Sequence, residues 1–204
     1  MNYKNPIGLV SAAILALGFA SAYAENIDPY QDNSQYAYGE NVGWLNFEPN
    51  ATGANVGATV SSSKLTGFIW AENIGWINLL PASYGGVFND EAGNLSGYAW
   101  GENIGWINFS PSYGGVTVDL DSNFDGWAWG ENIGWINFNS ADLYGCNVKA
   151  CKVSFEDLAN FVDDWLESNT GLPADLDGSN DVDFSDYAIF ADYWLDYCPD
   201  NWLL

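Results

Sequence analysis

Between residues 36 and 138 one pattern of apolar and polar positions recurs four times, with aromatic rings spaced two residues apart. The first copy is Tyr36-Ala37-Tyr38-Gly39-Glu40-Asn41-Val42-Gly43-Trp44-Leu45-Asn46-Phe47, and residues 67–79, 97–109 and 126–138 repeat it. Each copy opens with aromatics at i and i+2: Tyr36 and Tyr38, Phe68 and Trp70, Tyr98 and Trp100, Trp127 and Trp129. That spacing puts both rings on one face of a strand and Ala or Ile on the other. Glu-Asn-Ile/Val-Gly follows, and its Asn and Gly suit the positive-φ positions of a tight turn. A second strand, Gly-Trp-Ile-Asn-Phe or a close variant, completes a β-hairpin. Apolar runs at 56–60, 86–88 and 115–118 predict a third strand before the later copies. Pro49, Pro81 and Pro111 end the second strand's ladder. Trp44, Trp76, Trp106 and Trp135 lie 32, 30 and 29 residues apart. A regular period of this size marks an array of similar units, so the pattern predicts a mainly β repeat domain of four ~30-residue hairpin units with about three strands each. Stacked, closed and splayed arrangements of the units all fit the pattern.

Past residue 140 the period changes. Phe184, Tyr187, Ala188, Phe190, Ala191, Trp194 and Leu195 form an i, i+3, i+4, i+7 stripe, the mark of an amphipathic helix. Twenty-nine residues upstream, Phe155, Phe161, Trp165 and Leu166 match Phe184, Phe190, Trp194 and Leu195. A duplicated pair of amphipathic helices can bury both stripes against each other. The second helix is preceded by a twelve-residue loop, 175–186. Asp175, Asp177, Ser179, Asp183 and Asp186 place side-chain oxygens at loop positions 1, 3, 5, 9 and 12, and Asp181 offers its carbonyl at position 7. Hard cations take six to eight oxygens, and this spacing is that of an EF-hand calcium loop. Asn180 holds position 6, where a sharp turn calls for Gly or a residue tolerant of the left-handed conformation.

Asp rather than Glu at position 12, Val182 at position 8 and a second loop-helix copy make residues 141–204 resemble a type I dockerin. The resemblance implies a small α-helical module that binds calcium and docks onto a cohesin-like domain, commonly beside polysaccharide-degrading enzymes or carbohydrate-binding modules. Two features depart from it. Positions 10 and 11 hold Phe184 and Ser185 rather than a hydroxyl pair, and the first loop has Cys146, Val148 and Ala150 where ligands belong. A disulfide between Cys146 and Cys151 is expected to close that loop in place of a metal, although Cys198 leaves three pairings open. The Gly-Trp-Ile-Asn-Phe units are similar to repeats of exported bacterial proteins of unknown role.

The N-terminus reads as a signal peptide over residues 1–24: Lys4, an apolar run from 7 to 20, then Ala22-Tyr23-Ala24. The expected organisation is therefore a leader, a β-repeat domain over 25–140 and a calcium-binding domain over 141–204, in a secreted or cell-surface protein where cysteines can oxidise. Acidic residues number 27 against 4 cations, a net charge of −23. Nucleic acid and anionic membrane surfaces are excluded as partners on that ground. The absence of His removes His bases, triads and His-ligated zinc.

The repeated Trp, Asn and Glu admit competing readings. In one, each Trp packs on the next copy and supplies core bulk, while each Asn bonds a neighbouring turn. In another, Trp70, Trp76, Trp100, Trp106, Trp129 and Trp135 present flat faces to sugar rings, and Asn and Glu bond the hydroxyls. Glu40, Glu72, Glu102 and Glu131 share one turn context, whereas two-carboxylate glycoside hydrolysis needs two distinct environments. The sequence thus points to a non-catalytic secreted protein with a calcium-dependent docking tail and a β domain for polysaccharide. A surface-layer protein assembling through an open β edge is the alternative.

Overall fold

The computed structural model describes residues 26–51, 54–90, 92–140, 145–199, 202 and 204. The expected signal peptide lies outside these described residues. Each aromatic segment forms an antiparallel hairpin: Gln35–Gly39 with Gly43–Asn46, Phe68–Ala71 with Gly75–Asn78, Leu95–Gly101 with Gly105–Asn108, and Phe124–Gly130 with Gly134–Asn137. The second strand of each hairpin pairs with the first strand of the next, through Leu45↔Ala71, Ile77↔Gly101 and Ile107↔Gly130 with their neighbours. The fourth hairpin returns to the first through Ile136↔Gly39 and Asn137↔Tyr38. The eight strands therefore close into an antiparallel barrel, and closure leaves them no open edge.

The turns explain how closure is fixed. Gly43, Gly75, Gly105 and Gly134 hold φ between +79° and +85°. Val42 N–H donates to the Gly39 carbonyl at 3.2 Å, and the other three turns repeat that bond. Each connection is thus a turn closed by an i to i+3 hydrogen bond and followed by a left-handed glycine. The turn asparagines do not take positive φ as the sequence predicted. Their side chains instead donate across to the preceding turn: Asn73 Nδ2 to the Val42 carbonyl, Asn103 to Ile74 and Asn132 to Ile104, each at 3.0 Å, and Asn41 to Ile133 at 3.1 Å. The four bonds run once around the barrel mouth.

The interior is filled without tryptophan. Ala37, Ile69, Ala99 and Ala128 face inward with Leu45, Ile77, Ile107 and Ile136, and all are buried. Phe47, Leu79, Phe109 and Phe138, one residue past each second strand, form a layer at the end away from the turns, with Phe124 stacked on Phe138. Val42, Ile104 and Ile133 plug the turn end. The reading in which each Trp supplies core bulk is thus corrected. Period-two alternation puts the rings on the outer face, and a barrel of eight short strands has an interior only wide enough for Ala, Leu, Ile and Phe.

Third strands lie beside the last two hairpins: Gly86–Asn89 pairs with Leu95–Gly101, and Gly115–Val118 with Phe124–Gly130. Of the run 56–60, Thr59–Val60 forms a strand, paired with Lys64–Thr66. The matching place beside the first hairpin is taken by Cys146–Val148, which pairs with Gln35–Gly39. Those residues were expected to be the tail's first loop. Val148 and Ala150 are apolar and become buried in the barrel core instead.

The tail holds helices α1 (Phe155–Asp163) and α2 (Phe184–Asp192). Both begin with a capping box, Ser154 with Asp157 and Asp183 with Asp186. Phe161 and Phe190 meet at 5.3 Å, flanked by Phe155 on Trp194 at 5.0 Å and Trp165 on Phe184 at 5.2 Å. Two short backbone pairings complete the arrangement, Val153 with Leu195 and Asp196, and Val182 with Leu166 and Glu167. Matched residues thus meet reciprocally, about an approximate two-fold. The disulfide joins Cys151 to Cys198, with Cα atoms 5.4 Å apart. The expected Cys146–Cys151 bond is corrected: Cys146 is buried in the strand beside the first hairpin, its Sγ 3.5 Å from the Asn137 carbonyl.

Candidate functional site

The hairpins carry a belt of twelve aromatic rings on the barrel's outer wall. In each hairpin the central Trp contacts both rings of the first strand. Tyr38–Trp44, Trp70–Trp76, Trp100–Trp106 and Trp129–Trp135 have centroids 5.1, 4.8, 4.7 and 4.8 Å apart, with planes crossed at 60–68°. Crossed contact of this kind is the favoured geometry for aromatic pairs and holds the rings rigidly. They remain open to solvent: Trp76 is 41 %, Trp100 36 % and Trp106 40 % exposed, while Trp70, Trp129 and Trp135 are half-buried.

Between neighbouring hairpins the belt forms grooves. The groove from second to third hairpin is lined by Phe68, Trp76, Asn78, Trp100, Glu102 and Asn103. Equivalent residues line those from first to second and from third to fourth, with Trp44, Trp70 and Glu72 in one and Trp106, Trp129 and Glu131 in the other. Their volumes are about 530, 540 and 710 Å³. All four turn glutamates are exposed. Each groove thus combines an apolar aromatic wall with a carboxylate that can accept hydrogen bonds.

A second candidate lies in the tail. Carboxylate oxygens of Asp175, Asp177 and Asp186 come within 4.8 Å of one another, and this group could hold a metal ion. Asp186 is fully buried; its Oδ1 accepts from Leu176 and Asp177 N–H at 2.8 and 3.1 Å, and its Oδ2 from Asp183 N–H at 2.9 Å. Asp175 Oδ2 accepts from Asn180 N–H at 2.9 Å, whereas its buried Oδ1 has no hydrogen-bond partner. A buried carboxylate oxygen without a donor, beside two further carboxylates, fits a hard cation. Asn180 takes φ 71°, as its loop position requires. Ser179, Asp181 and Asp183 stand outside the close group. Ser179 Oγ donates to the Asp181 carbonyl at 3.1 Å, and Asp183 caps α2 by accepting from Ser185 N–H at 2.7 Å.

The first tail copy solves the same problem with a protein donor. Asp157, which matches Asp186, accepts from the Trp202 indole N–H at 2.8 Å on Oδ1, and from Ser154 N–H at 2.8 Å on Oδ2.

Compared with protein-family models, curated proteins and solved structures, the chain matches none. Among the described residues no helix is long and apolar enough to cross a membrane.

Sequence reasoning missed Tyr84, which joins Trp106 and Trp129 in the groove from third to fourth hairpin. The signal was present: Ser-Tyr-Gly-Gly-Val occurs at 83–87 and again at 112–116.

Proposed function

We propose that this chain is a secreted, non-catalytic polysaccharide-binding protein whose barrel holds glycan on its outer aromatic belt. The observation that carries the reading is the exposed tryptophan wall with a glutamate at each groove. Soluble proteins rarely leave so large an apolar surface to water unless something covers it. Sugars match it, with C–H faces for the rings and hydroxyls for the carboxylates. Four exposed glutamates in equivalent turns offer no pair of distinct environments, which supports binding over hydrolysis. Closure of the barrel pairs both edges of all eight hairpin strands, which weighs against assembly through an open hairpin edge.

The tail, in this reading, binds calcium through Asp175, Asp177 and Asp186 and acts as a dockerin-like attachment module for a cohesin-like partner. Support comes from the orphaned Asp175 oxygen, the all-oxygen donor set and the duplicated loop-helix. The ion would supply positive charge among clustered carboxylates and so order the loop that starts α2.

Affinity electrophoresis of the full chain through soluble neutral and acidic polysaccharides tests the barrel. Retardation by a neutral glycan, lost in Trp76→Ala/Trp100→Ala with an unchanged melting temperature, is expected. Migration unaffected by any glycan would remove the proposal.

A further inference from the structure

Tyr84 and Tyr113 are almost fully surrounded by water, 87 % and 95 % exposed. They hold the same place in the duplicated Ser-Tyr-Gly-Gly-Val segment. Each segment lies across a tryptophan of the belt. A β-carbon on Gly85 would meet Trp106 Cζ3 at 2.5 Å, and one on Gly114 would meet Trp135 Cζ3 at 2.9 Å. Glycine lets the backbone press on the indole, so the preceding tyrosine is held beside that tryptophan. Tyr84 lines the groove that Trp106, Trp129 and Glu131 form. Its backbone is held at φ 148°, a region nearly confined to glycine and costly for a tyrosine. A ring this exposed contributes little to folding, so the outlier points to use by a ligand.

The charge at the site selects the occupant. A carboxylate stands at the groove, and the whole chain carries −23. Acidic chains are repelled, while neutral hydroxyls find an acceptor. Rings stacking from two sides also demand a sugar whose faces both present C–H bonds. A pyranose with every hydroxyl equatorial meets that demand, and an axial hydroxyl spoils one face.

We propose that Tyr84, in the groove from third to fourth hairpin, and Tyr113, beside Trp135, grip the sugar face turned away from the belt tryptophans and thereby select uncharged chains of all-equatorial, β-linked pyranoses. The proposal rests on the glycan reading above and adds the residues and sugar stereochemistry that decide specificity. Calorimetric titration of the full chain with cellohexaose, and with mannohexaose whose C2 hydroxyl is axial, separates the two claims. Cellohexaose is expected to bind the wild type about tenfold tighter than mannohexaose, and Tyr84→Ala and Tyr113→Ala should each weaken it by about tenfold, at unchanged melting temperature. Tyr84→Gly, which also relieves the backbone, should melt no lower than wild type and still lose affinity. Wild-type binding that both tyrosine variants retain, or equal binding of the two hexaoses, overturns this inference and leaves the glycan reading standing. Failure of the wild type to bind either hexaose or any neutral polysaccharide overturns both.

Discussion

Gly101 shows how little room the turn end of the barrel leaves. A β-carbon there would meet Ile104 Cγ1 at 2.6 Å, and Gly39 and Gly130 face Val42 and Ile133 in the same way at 2.7 and 2.5 Å. The second hairpin is the control, since it carries Ala71 at this position. There Ile74 is half-exposed, whereas Val42, Ile104 and Ile133 are buried. The added methyl group of Ala71 thus goes with a plug residue that is only partly buried against the core. Gly101→Ala is expected to cost about 1–2 kcal/mol by displacing Ile104, or roughly 2–8 °C in melting temperature. In an Ile104→Ala background the cost should vanish, and chemical denaturation of the four-member cycle measures it. An additive cycle would mean that the glycine serves the backbone and not the plug.

At the scale of elements, the two loop-helix copies share one frame and differ in what neutralises the buried aspartate. Asp186 belongs to a carboxylate cluster with an unpartnered oxygen, while Asp157 already holds an indole N–H. One divalent ion per chain is therefore the expected calorimetric stoichiometry, with Asp175→Ala abolishing it. At free calcium one hundred times the dissociation constant, the ion should add about 2.7 kcal/mol to the tail, lost on adding chelator. Trp202→Phe should keep the ion but destabilise α1 by about 1–3 kcal/mol, because Asp157 Oδ1 loses its donor. Two bound ions, or a tail melt indifferent to chelator, would contradict this account. Legibility at this scale was uneven. The nearness of Asp175, Asp177 and Asp186, the helices and the left-handed Asn180 could be read from residue order, whereas Ser179, Asp181 and Asp183, expected in the same set, stand outside it. The pairing of Cys151 with Cys198 could not be read that way. It follows from the approximate two-fold, which brings the start of one copy to the end of the other.

For the whole molecule, the tail is closed on itself by a disulfide and tied to the barrel by a polar contact. The Cys151–Cys198 bond encloses both helices, and Tyr197 Oη accepts from Asn89 Nδ2 on the barrel at 3.2 Å. Burial raises the Tyr197 pKa above its ordinary value; Asp196 and Asp119 add to the rise, and the Asn89 hydrogen bond opposes it. The folded state therefore favours the neutral phenol. Its stabilisation is complete below the unfolded pKa near 10 and is lost as pH rises through the higher folded value. Stability measured between pH 9 and 12 should fall for the wild type, and fall less for Tyr197→Phe. Equal slopes would place the alkaline sensitivity elsewhere, Tyr30 being the next candidate because its pKa is also raised, chiefly by burial.

Residue order alone determined the hairpins, the amphipathic helices and the aspartate-rich loop before α2, because a period of two, a period near 3.6 and the spacing of acidic residues are local properties of the chain. Only the tertiary structure decided that four hairpins close on themselves, since closure depends on Asn side chains bonding turns that lie 28 to 92 residues away. Closure in turn settled which face of each strand became the core. A ring of eight short strands has space inside for alanine, isoleucine, leucine and phenylalanine, and so it turned the tryptophans outward.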